Sequence, residues 1–356
     1  MKKSMTLSLR GWIPRLALIG LLAGVVLTSA IPGTRSGAAE RPLAFRDVAV
    51  FDGLKLIPQS TVVVEGGKIA AVGTRIAIPR NAEVIDGKGL TLLPGFIDSH
   101  VHAFSQGELR RSLMFGVTTV MDMMTTPEFM RAIKARQAAT GTPDWADLFS
   151  SGSAATAPGG HGTEYGGTTP TLTKLEEAAP FVSARIAEGS DYIKIMSGFG
   201  NGKNLLDRPV IAAVAAEARK QGRLSIVHID TQAYARQAVE DGVNGLAHCF
   251  ADVPPEQDFI DLMKAKRAFV IPTLSVMSNL ADAKMADLIH DQRLLPYLSP
   301  DLLAALSVER KVMKSKRLSF AVVEESVRRM SKAGIPILVG TDSSNPGTAH
   351  GLTIHS

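Results

Sequence analysis

The chain has 356 residues, 45% of them hydrophobic, so it can bury a core large enough to hold it together. Cys249 is the only cysteine, which excludes an internal disulfide. The formal net charge of +5 arises in the first 39 residues, which contain five cations and no acid, so the rest of the chain is close to neutral. This distribution argues against nucleic acid as a partner.

The first 39 residues have the pattern of a secretory signal peptide. A basic start is followed by an apolar run at residues 16–27 and by small residues at Ala30 and at 36–39. The run is shorter than the roughly 20 residues that a membrane span needs. We expect an exported protein, periplasmic or secreted, cleaved after Ala30 or near Ala39 and without a stable membrane span afterwards. An uncleaved membrane anchor is the alternative.

Residues 40–92 predict a small β domain. Four short runs rich in Val and Ile are separated by turn pairs that end in glycine, a pattern typical of β-hairpins. We therefore expect a small antiparallel, β-sandwich-like unit. The runs lie at residues 45–51, 60–65, 68–72 and 83–86, and the turn pairs are Asp52-Gly53, Gly66-Gly67 and Asp86-Gly87.

Residues 93–356 alternate between strand and helix patterns. Eight strands alternating with helical segments such as 172–188, 209–219 and 232–240 predict an α/β protein with a parallel sheet, closed as a (β/α)8 TIM barrel. A doubly wound open sheet is the alternative, but it would normally carry a glycine-rich phosphate turn where this chain has two histidines. The predicted strands are 95–98, 117–121, 147–150, 192–195, 224–228, 245–249, 268–272 and 337–340.

His100 and His102 lie at the end of the first predicted barrel strand. Side chains on a strand alternate between its faces, so residues two positions apart point the same way. Two imidazoles that converge on one point are suited to a metal ion. The alternative is a pair of unrelated surface histidines.

Further chemically active residues recur at the ends of later strands, where the active sites of such barrels lie. Lys194 lies inside an apolar strand, His228 and His248 end two others, and Asp342 follows the last. Each could be structural when taken alone, since a strand-end Asp often caps the next helix. Their coincidence on one rim predicts a metal site.

This set of residues resembles the amidohydrolase superfamily, over about residue 41 to the end of the chain. It looks most similar to imidazolonepropionase-like and dipeptidase-like members, which also carry a Gly-Gly-His-Gly loop after the third strand, present here at residues 159–162. The resemblance implies a barrel that hydrolyses its substrate with divalent metal ions. The matching residues, in the family's order, are the stretch 94–102, Lys194, His228, His248 and Asp342.

The resemblance implies that His100, His102 and Asp342 hold one ion and that His228 and His248 hold a second. Neutral imidazole suits zinc, so the expected cofactor is one or two Zn²⁺ ions. Lys194 would bridge them: burial lowers the pKa of a lysine, and a neutral amine can add carbon dioxide to become N6-carboxylysine. A lysine that reaches solvent or pairs with an acid is the alternative.

Three residues are expected to act on the substrate. Asp342 would move the proton from the attacking water to the leaving amine. His161 would contact the substrate carbonyl or oxyanion, with a simple turn as the alternative, and Tyr165 would bind a substrate carboxylate. Asp122 is interpreted as structural. No role is assigned to His290, His350 or His355.

The leading functional hypothesis is a metal-dependent, dipeptidase-like hydrolase that cleaves a carbon–nitrogen bond of a small molecule, such as a dipeptide or N-acyl amino acid, through a metal-activated hydroxide. An ester, lactone or phosphoester substrate is an alternative, because the same hydroxide attacks all of these. A homo-oligomer is compatible with the sequence.

A truncated, non-catalytic remnant is a third hypothesis. Only residues 343–356 follow Asp342. Members of the resembled family continue with an eighth outer helix and with strands of the small domain. We therefore expect the eighth helix to be missing and the small domain to be incomplete.

Overall fold

The computed structural model describes residues 41–139, 144–165, 169–198, 204–281, 288–307 and 318–356. The predicted signal peptide lies outside these ranges. None of the helices within them is long and apolar enough to cross a membrane. The described chain divides into two compact units, one containing residues 41–49 and 58–91 and the other residues 50–57 and 92–356.

The first unit is built on one five-stranded sheet. Strands β2 and β3 pair antiparallel around Gly66 and Gly67, both at positive φ, which confirms the predicted hairpin. Strands β1 and β4 pair parallel, so the expectation of a purely antiparallel unit is wrong. The sheet order is β3-β2-β1-β4 with β5 also on β1, where β1 is Leu43–Phe51, β2 Leu56–Glu65, β3 Lys68–Gly73, β4 Glu83–Asp86 and β5 Thr91–Leu92.

The parallel pairing follows from the connection before β4. The nine residues between β3 and β4 are too many for a tight hairpin, and they return the chain to the far side of β1. Ala44, Val48, Val62 and Val63 are the buried hydrophobic residues of this sheet. The expected β-sandwich is not confirmed, because the described strands of this unit all belong to the same sheet.

The second unit alternates strands and helices, as predicted. Its strands are β6 Phe96–Val101, β7 Val117–Asp122, β8 Asp147–Ser150, β9 Ile193–Met196, β10 Ser225–His228, β11 Gly245–Ala247 and β12 Phe269–Ile271. Its helices are α1 Gln106–Met114, α2 Pro127–Ala139, α3 Ala178–Glu188, α4 Arg208–Lys220, α5 Gln232–Glu240, α6 Gln257–Lys266, α7 Leu274–Leu280, α8 Pro300–Ser307 and α9 Phe320–Lys332.

Local signals account for several helix ends. The side chain of Ser105 caps α1 by accepting from the Glu108 N–H, and the Glu108 carboxylate accepts from the Ser105 N–H in return. Helix α3 ends at Gly189, whose φ of 104° suits the left-handed position after a helix. These caps set where the loops between strands and helices begin.

The strands form two parallel sheets, β6-β7-β8 and β12-β11-β10-β9. Single parallel bridges extend from their edges, joining Ala155 to Ile195, Val270 to Ile337 and Val101 to Ser343. The predicted eighth strand, residues 337–340, makes isolated bridges and backbone hydrogen bonds, such as Ser99 N–H to Val339 O at 2.7 Å, without a continuous ladder.

Alternation along the strands divides the core into two layers. Ile193 and Ile195 of β9 face outward and pack among residues of the helices. Tyr192 faces the other way and joins an apolar cluster with Met123, Ile226, Ala247 and Ile271, which come from or directly adjoin neighbouring strands. Lys194 shares the Tyr192 face of β9, which places an amine directly after this apolar layer.

The segment after Asp342 contains the 3₁₀ helix Leu352–His355. Leu352 is fully buried in a cluster with Phe115 and Leu302, and the His355 Nε2–H donates to the Phe115 carbonyl at 2.9 Å. The segment therefore packs on the second unit beside the end of α1.

Candidate metal and active site

His100 lies on strand β6 and His102 directly follows its last residue, Val101, and both rings point to one side, as the alternation predicts. His100 Nε2 lies 3.3 Å and His102 Nε2 3.2 Å from the same oxygen, Asp342 Oδ1. One ligand atom from each of these residues lies within 4.8 Å of the others. Two imidazoles and a carboxylate at this spacing form a group that could hold a divalent ion.

A backbone contact settles the tautomer of His102. Its Nδ1 lies 3.1 Å from the carbonyl oxygen of Met124, and a carbonyl can only accept, so Nδ1 carries the hydrogen. In the neutral ring Nε2 then presents a lone pair to Asp342 Oδ1. Two electron-rich atoms that face each other call for a cation between them, either a proton or a metal ion.

His100 and Asp342 show the same feature. Both ring nitrogens of His100 and the Oδ1 of Asp342 are buried and have no hydrogen-bond partner among the described residues. Buried polar atoms usually find a partner, and exceptions call for an explanation such as an ion. The chemistry of this donor set therefore fits a metal ion.

Five imidazole rings form a continuous row across the strand ends. Successive ring centroids are 5.5 Å apart from His102 to His100, 4.8 Å to His248, 4.4 Å to His228 and 4.8 Å to His161. The structure thus brings together all the histidines that the sequence analysis assigned to the site. We call this set the imidazole row.

Burial keeps most of the row neutral. It lowers the pKa of His248 to about 3 and holds those of His100 and His228 well below the usual range, with neighbouring positive groups adding to the effect on the latter two. Burial also lowers the pKa of His161. His102 is the exception: burial opposes its charge, but contact with Asp342 outweighs this and raises its pKa. Neutral imidazoles are the form that binds metal.

Lys194 is fully enclosed, with 1% of its surface exposed. Its Nζ has no hydrogen-bond partner among the described residues. Burial lowers the pKa of this amine to about 8, against the attraction of Asp342 and Asp122. The predicted alternative, a lysine that reaches solvent, is therefore wrong, and no described acid pairs with it.

The backbone is strained where it presents two of these side chains. His248 has φ 73° and Asp342 φ 57°, values uncommon for residues other than glycine. Neighbouring segments of the same chain approach Gly340 closely, since a Cβ at Gly340 would lie 2.5 Å from Ile271 and 2.8 Å from His100. Strain of this kind persists where surrounding contacts enforce it and is concentrated at functional sites.

Asp98 enforces the approach of this segment to β6. Its carboxylate accepts from the Thr341 N–H at 3.0 Å, the Thr341 hydroxyl at 2.6 Å and the His100 N–H at 3.2 Å. Burial raises the pKa of Asp98 to about 6 against these hydrogen bonds. Asp98 was not predicted as a site residue, although its position between apolar strand residues and His100 is typical of a buried acid.

Asp122 links neighbouring strands. Its carboxylate accepts from the Ala103 N–H at 2.9 Å and the Ser150 hydroxyl at 2.6 Å, and burial raises its pKa to about 6. These contacts agree with its interpretation as structural. His350 is buried 3.8 Å from Glu108 and next to the backbone of His102, and burial lowers its pKa to about 4.

The loop after β8 carries His161 to the end of the imidazole row. His161 Nδ1 lies 2.8 Å from Glu164 Oε1, and the Gly162 N–H donates to Glu164 Oε2 at 2.7 Å. Glu164 was not predicted as a site residue, although its i+3 spacing from a histidine in a glycine-rich loop is compatible with such a contact. The side chain of Tyr165 lies outside the described residues, so its predicted contact stays a prediction.

Curated sequence relatives match short parts of the chain. A dihydroorotase from Elusimicrobium minutum is 39% identical over 85 residues, which cover 21% of this chain and 18% of that protein. An imidazolonepropionase from Solibacter usitatus is 40% identical over 80 residues, covering 21% of this chain and 16% of that protein. The matched part of this chain thus covers less than a fifth of the length of either relative. No protein-family model matches it.

Solved structures match most of the chain. A Xaa-Pro dipeptidase with methionine bound in its active site has a TM-score of 0.66 at 18% identity, covering 88% of this chain and 81% of that one. A prolidase complexed with N-methylphosphonate-L-proline has a TM-score of 0.62 at 22% identity, covering 88% and 80%. At this identity the likeness shows a common fold, and the named sequence relatives and structural neighbours fall in one superfamily.

Proposed function

We propose that the chain belongs to the amidohydrolase superfamily and that it hydrolyses a carbon–nitrogen bond of a small molecule, such as a dipeptide or an N-acyl amino acid. The observation that carries this proposal is the convergence of His100, His102 and Asp342, whose ligand atoms lie within 4.8 Å of one another. Two of the solved structures with the same fold are named as a Xaa-Pro dipeptidase and a prolidase, which are names of enzymes that cleave such bonds.

His100, His102 and Asp342 would hold one divalent ion, and His228, His248 and a carboxylated Lys194 would serve a second. Zinc fits these residues best, because neutral imidazoles predominate. When bound, such an ion supplies Lewis acidity and lowers the pKa of water. Lys194 suits carboxylation because a buried amine with a pKa of about 8 is partly neutral near neutral pH and can add carbon dioxide with loss of one proton.

Asp342 is the proposed proton carrier. Burial disfavours its charge, but His102, His248 and Lys194 outweigh this and lower its pKa, so it is ionised at neutral pH. Its carboxylate can accept a proton from the attacking water and then donate it to the leaving nitrogen. His161, at the end of the imidazole row, is the proposed contact to the substrate, and the loop around it would shield the site.

A closed eight-stranded barrel is part of this proposal. The bridges at Ala155–Ile195, Val270–Ile337 and Val101–Ser343 support it, since they lie where the two sheets would have to join. Closure would place every predicted ligand at the carboxyl ends of the strands, where active sites of such barrels lie. We also propose that the protein is exported and that it acts on a small molecule without nucleic acid.

A turnover assay tests the function. Purified protein is incubated with dipeptides, N-acyl amino acids and matched esters and lactones, before and after chelation and after zinc is restored. We expect amide hydrolysis that disappears on chelation and returns with zinc. Ester or lactone turnover alone would replace the proposed bond type, and absence of any turnover in a zinc-loaded, folded protein would contradict an enzymatic role.

A further inference from the structure

In the hydrogen bond between His161 and Glu164, the donor and the acceptor can be assigned. His161 Nδ1 lies 2.8 Å from Glu164 Oε1. Burial raises the pKa of Glu164, but its hydrogen bonds, including that with His161, outweigh this and lower it, so the carboxylate is ionised. An ionised carboxylate only accepts, and Nδ1 is therefore the nitrogen that carries hydrogen.

The loop backbone holds this pair in place. The second carboxylate oxygen, Oε2, accepts from the Gly162 N–H at 2.7 Å, so Glu164 binds both a side chain and the backbone of the loop. The Thr156 hydroxyl donates to the His161 carbonyl at 2.8 Å. Gly159 and Gly162 adopt positive φ values of 68° and 98°, which allow the tight path around His161.

We propose that Glu164 is a positioning residue that fixes the tautomer of His161, with hydrogen on Nδ1 and a lone pair on Nε2. The inference deepens the proposed function, since it concerns the same site and its kinetic part depends on that function. A carboxylate that orients a histidine in this way is a recurrent device of active sites. It makes His161 a hydrogen-bond acceptor in its neutral form.

This tautomer changes the contact that His161 can make with a substrate. The sequence analysis assigned it to a substrate carbonyl or oxyanion, which requires a donor. In the tautomer fixed by Glu164, Nε2 instead accepts from an N–H or O–H group, such as a substrate amide N–H or a water. The substrate class it favours is therefore one with a hydrogen-bond donor next to the bond that is cleaved.

Nitrogen-15 NMR of the ring in the full chain tests the tautomer without any need for turnover. The His161 resonances are identified by their loss in His161→Asn. We expect hydrogen on Nδ1 in the wild type and a population with hydrogen on Nε2 in Glu164→Ala. Hydrogen on Nε2 in the wild type, or the same tautomer in both proteins, would overturn the proposal.

Kinetics give a second readout. Glu164→Gln keeps an acceptor for the Gly162 N–H but removes the charge, and we expect it to lower kcat/KM about 10–100-fold at an unchanged melting temperature. Glu177→Gln is the matched control, because Glu177 also accepts backbone N–H groups, from Thr173 and Lys174, but directly before α3. Equal loss in both variants, or none in Glu164→Gln, would overturn the proposal.

These arms separate the two proposals. A folded wild type that turns over nothing contradicts the proposed function, and the NMR result alone then decides the role of Glu164. A wild type that is active but shows hydrogen on Nε2 of His161 contradicts the role of Glu164 and leaves the proposed function standing.

Discussion

At the scale of single residues, the environment of each side chain decides its chemistry more than its type does. His100 on β6 and His102 just after it are two positions apart, yet contact with Asp342 raises the pKa of His102 while burial lowers that of His100. Both rings lie close to Asp342 Oδ1, but the side chain of His100 is fully buried, whereas that of His102 is 20% exposed. Their shared contact to Asp342 is what makes the two rings a candidate ligand pair.

Loss of any ligand in this group should reduce metal binding. We expect His100→Ala and Asp342→Ala to bind at least one zinc ion fewer per chain than the wild type, because each substitution removes one of three converging atoms. Elemental analysis after reconstitution measures the ratio. His355→Ala, which alters a histidine that bonds to the Phe115 carbonyl, is the control. Equal zinc content in all four proteins would show that the metal lies elsewhere.

Lys194 should be required for turnover. Lys194→Ala removes the proposed bridging carboxylate, and we expect activity to fall by orders of magnitude. A short carboxylic acid added to the variant should restore part of it by occupying the same space. The assay is hydrolysis with and without the added acid. Full activity and full metal content in Lys194→Ala would favour a site with a single ion.

The same lysine should give the metal-free protein a characteristic pH dependence. Burial lowers the pKa of Lys194 from 10.5 to about 8, so below pH 8 the amine is charged in both folded and unfolded chains and its burial is unfavourable. Between about pH 8 and pH 10.5 the amine is neutral in the folded chain and charged in the unfolded chain. The unfolded chain therefore binds more protons than the folded chain, and the free energy of unfolding rises with pH. We expect urea titrations to show this rise in the wild type relative to Lys194→Met. A pH-independent difference between the two would contradict it.

At the scale of elements, the site depends on how the segment 337–343 is held against β6. Strand alternation alone cannot supply this, since the segment forms isolated bridges and single backbone hydrogen bonds, such as Asp342 N–H to His100 O at 2.7 Å, in place of a continuous ladder. Asp98 joins the two through the N–H and hydroxyl of Thr341. This contact lies next to both His100 and Asp342 in sequence, so it sets the spacing of two ligand residues that are 242 positions apart.

Asp98→Ala should therefore affect both stability and metal binding. It removes the carboxylate that accepts from the buried Thr341 and His100 N–H groups, and we expect the free energy of unfolding to fall by about 3 kcal/mol. Zinc affinity should fall about 10–100-fold, because the ligands lose their orientation. Denaturant unfolding and zinc titration measure the two effects. Asp261→Ala, on the exposed face of α6, is the control, and equal behaviour of the two variants would exclude the proposed role of Asp98.

At the scale of the whole molecule, the excess positive charge lies in the proposed signal peptide and not in the part of the chain that contains the candidate site. The five cations in residues 1–39 account for the net charge of +5, and the rest of the chain is close to neutral. A neutral folded domain with a row of buried imidazoles suits a small-molecule substrate better than a polyanion. The basic, apolar start is what we propose to direct export.

Processing of the N-terminus tests this proposal. On expression in a bacterium, N-terminal sequencing of the exported protein should begin at Ile31 or Glu40, which correspond to the two predicted cleavage sites. Leu22→Arg interrupts the apolar run and should leave the chain unprocessed. Membrane-bound protein that retains Met1 would instead support the uncleaved anchor.

The sequence by itself determined the type and order of the site residues and most of the strands that present them. Alternation along β6 predicts that His100 and His102 converge, and the apolar run around Lys194 predicts its burial, because both depend on nearest neighbours in the chain. The Gly66-Gly67 hairpin follows from local backbone freedom in the same way.

Only the tertiary structure decided the contacts between distant segments. Such contacts depend on partners that no local pattern specifies. They include the parallel pairing of β1 with β4, the hydrogen bonds from Thr341 to Asp98, and the tautomers of His102 and His161. A hydrogen bond forms where two groups meet with the right geometry, and for segments far apart in the chain that meeting is set by packing of the whole unit. The identity of the candidate ligands is therefore readable from sequence, whereas their protonation and orientation are properties of the fold.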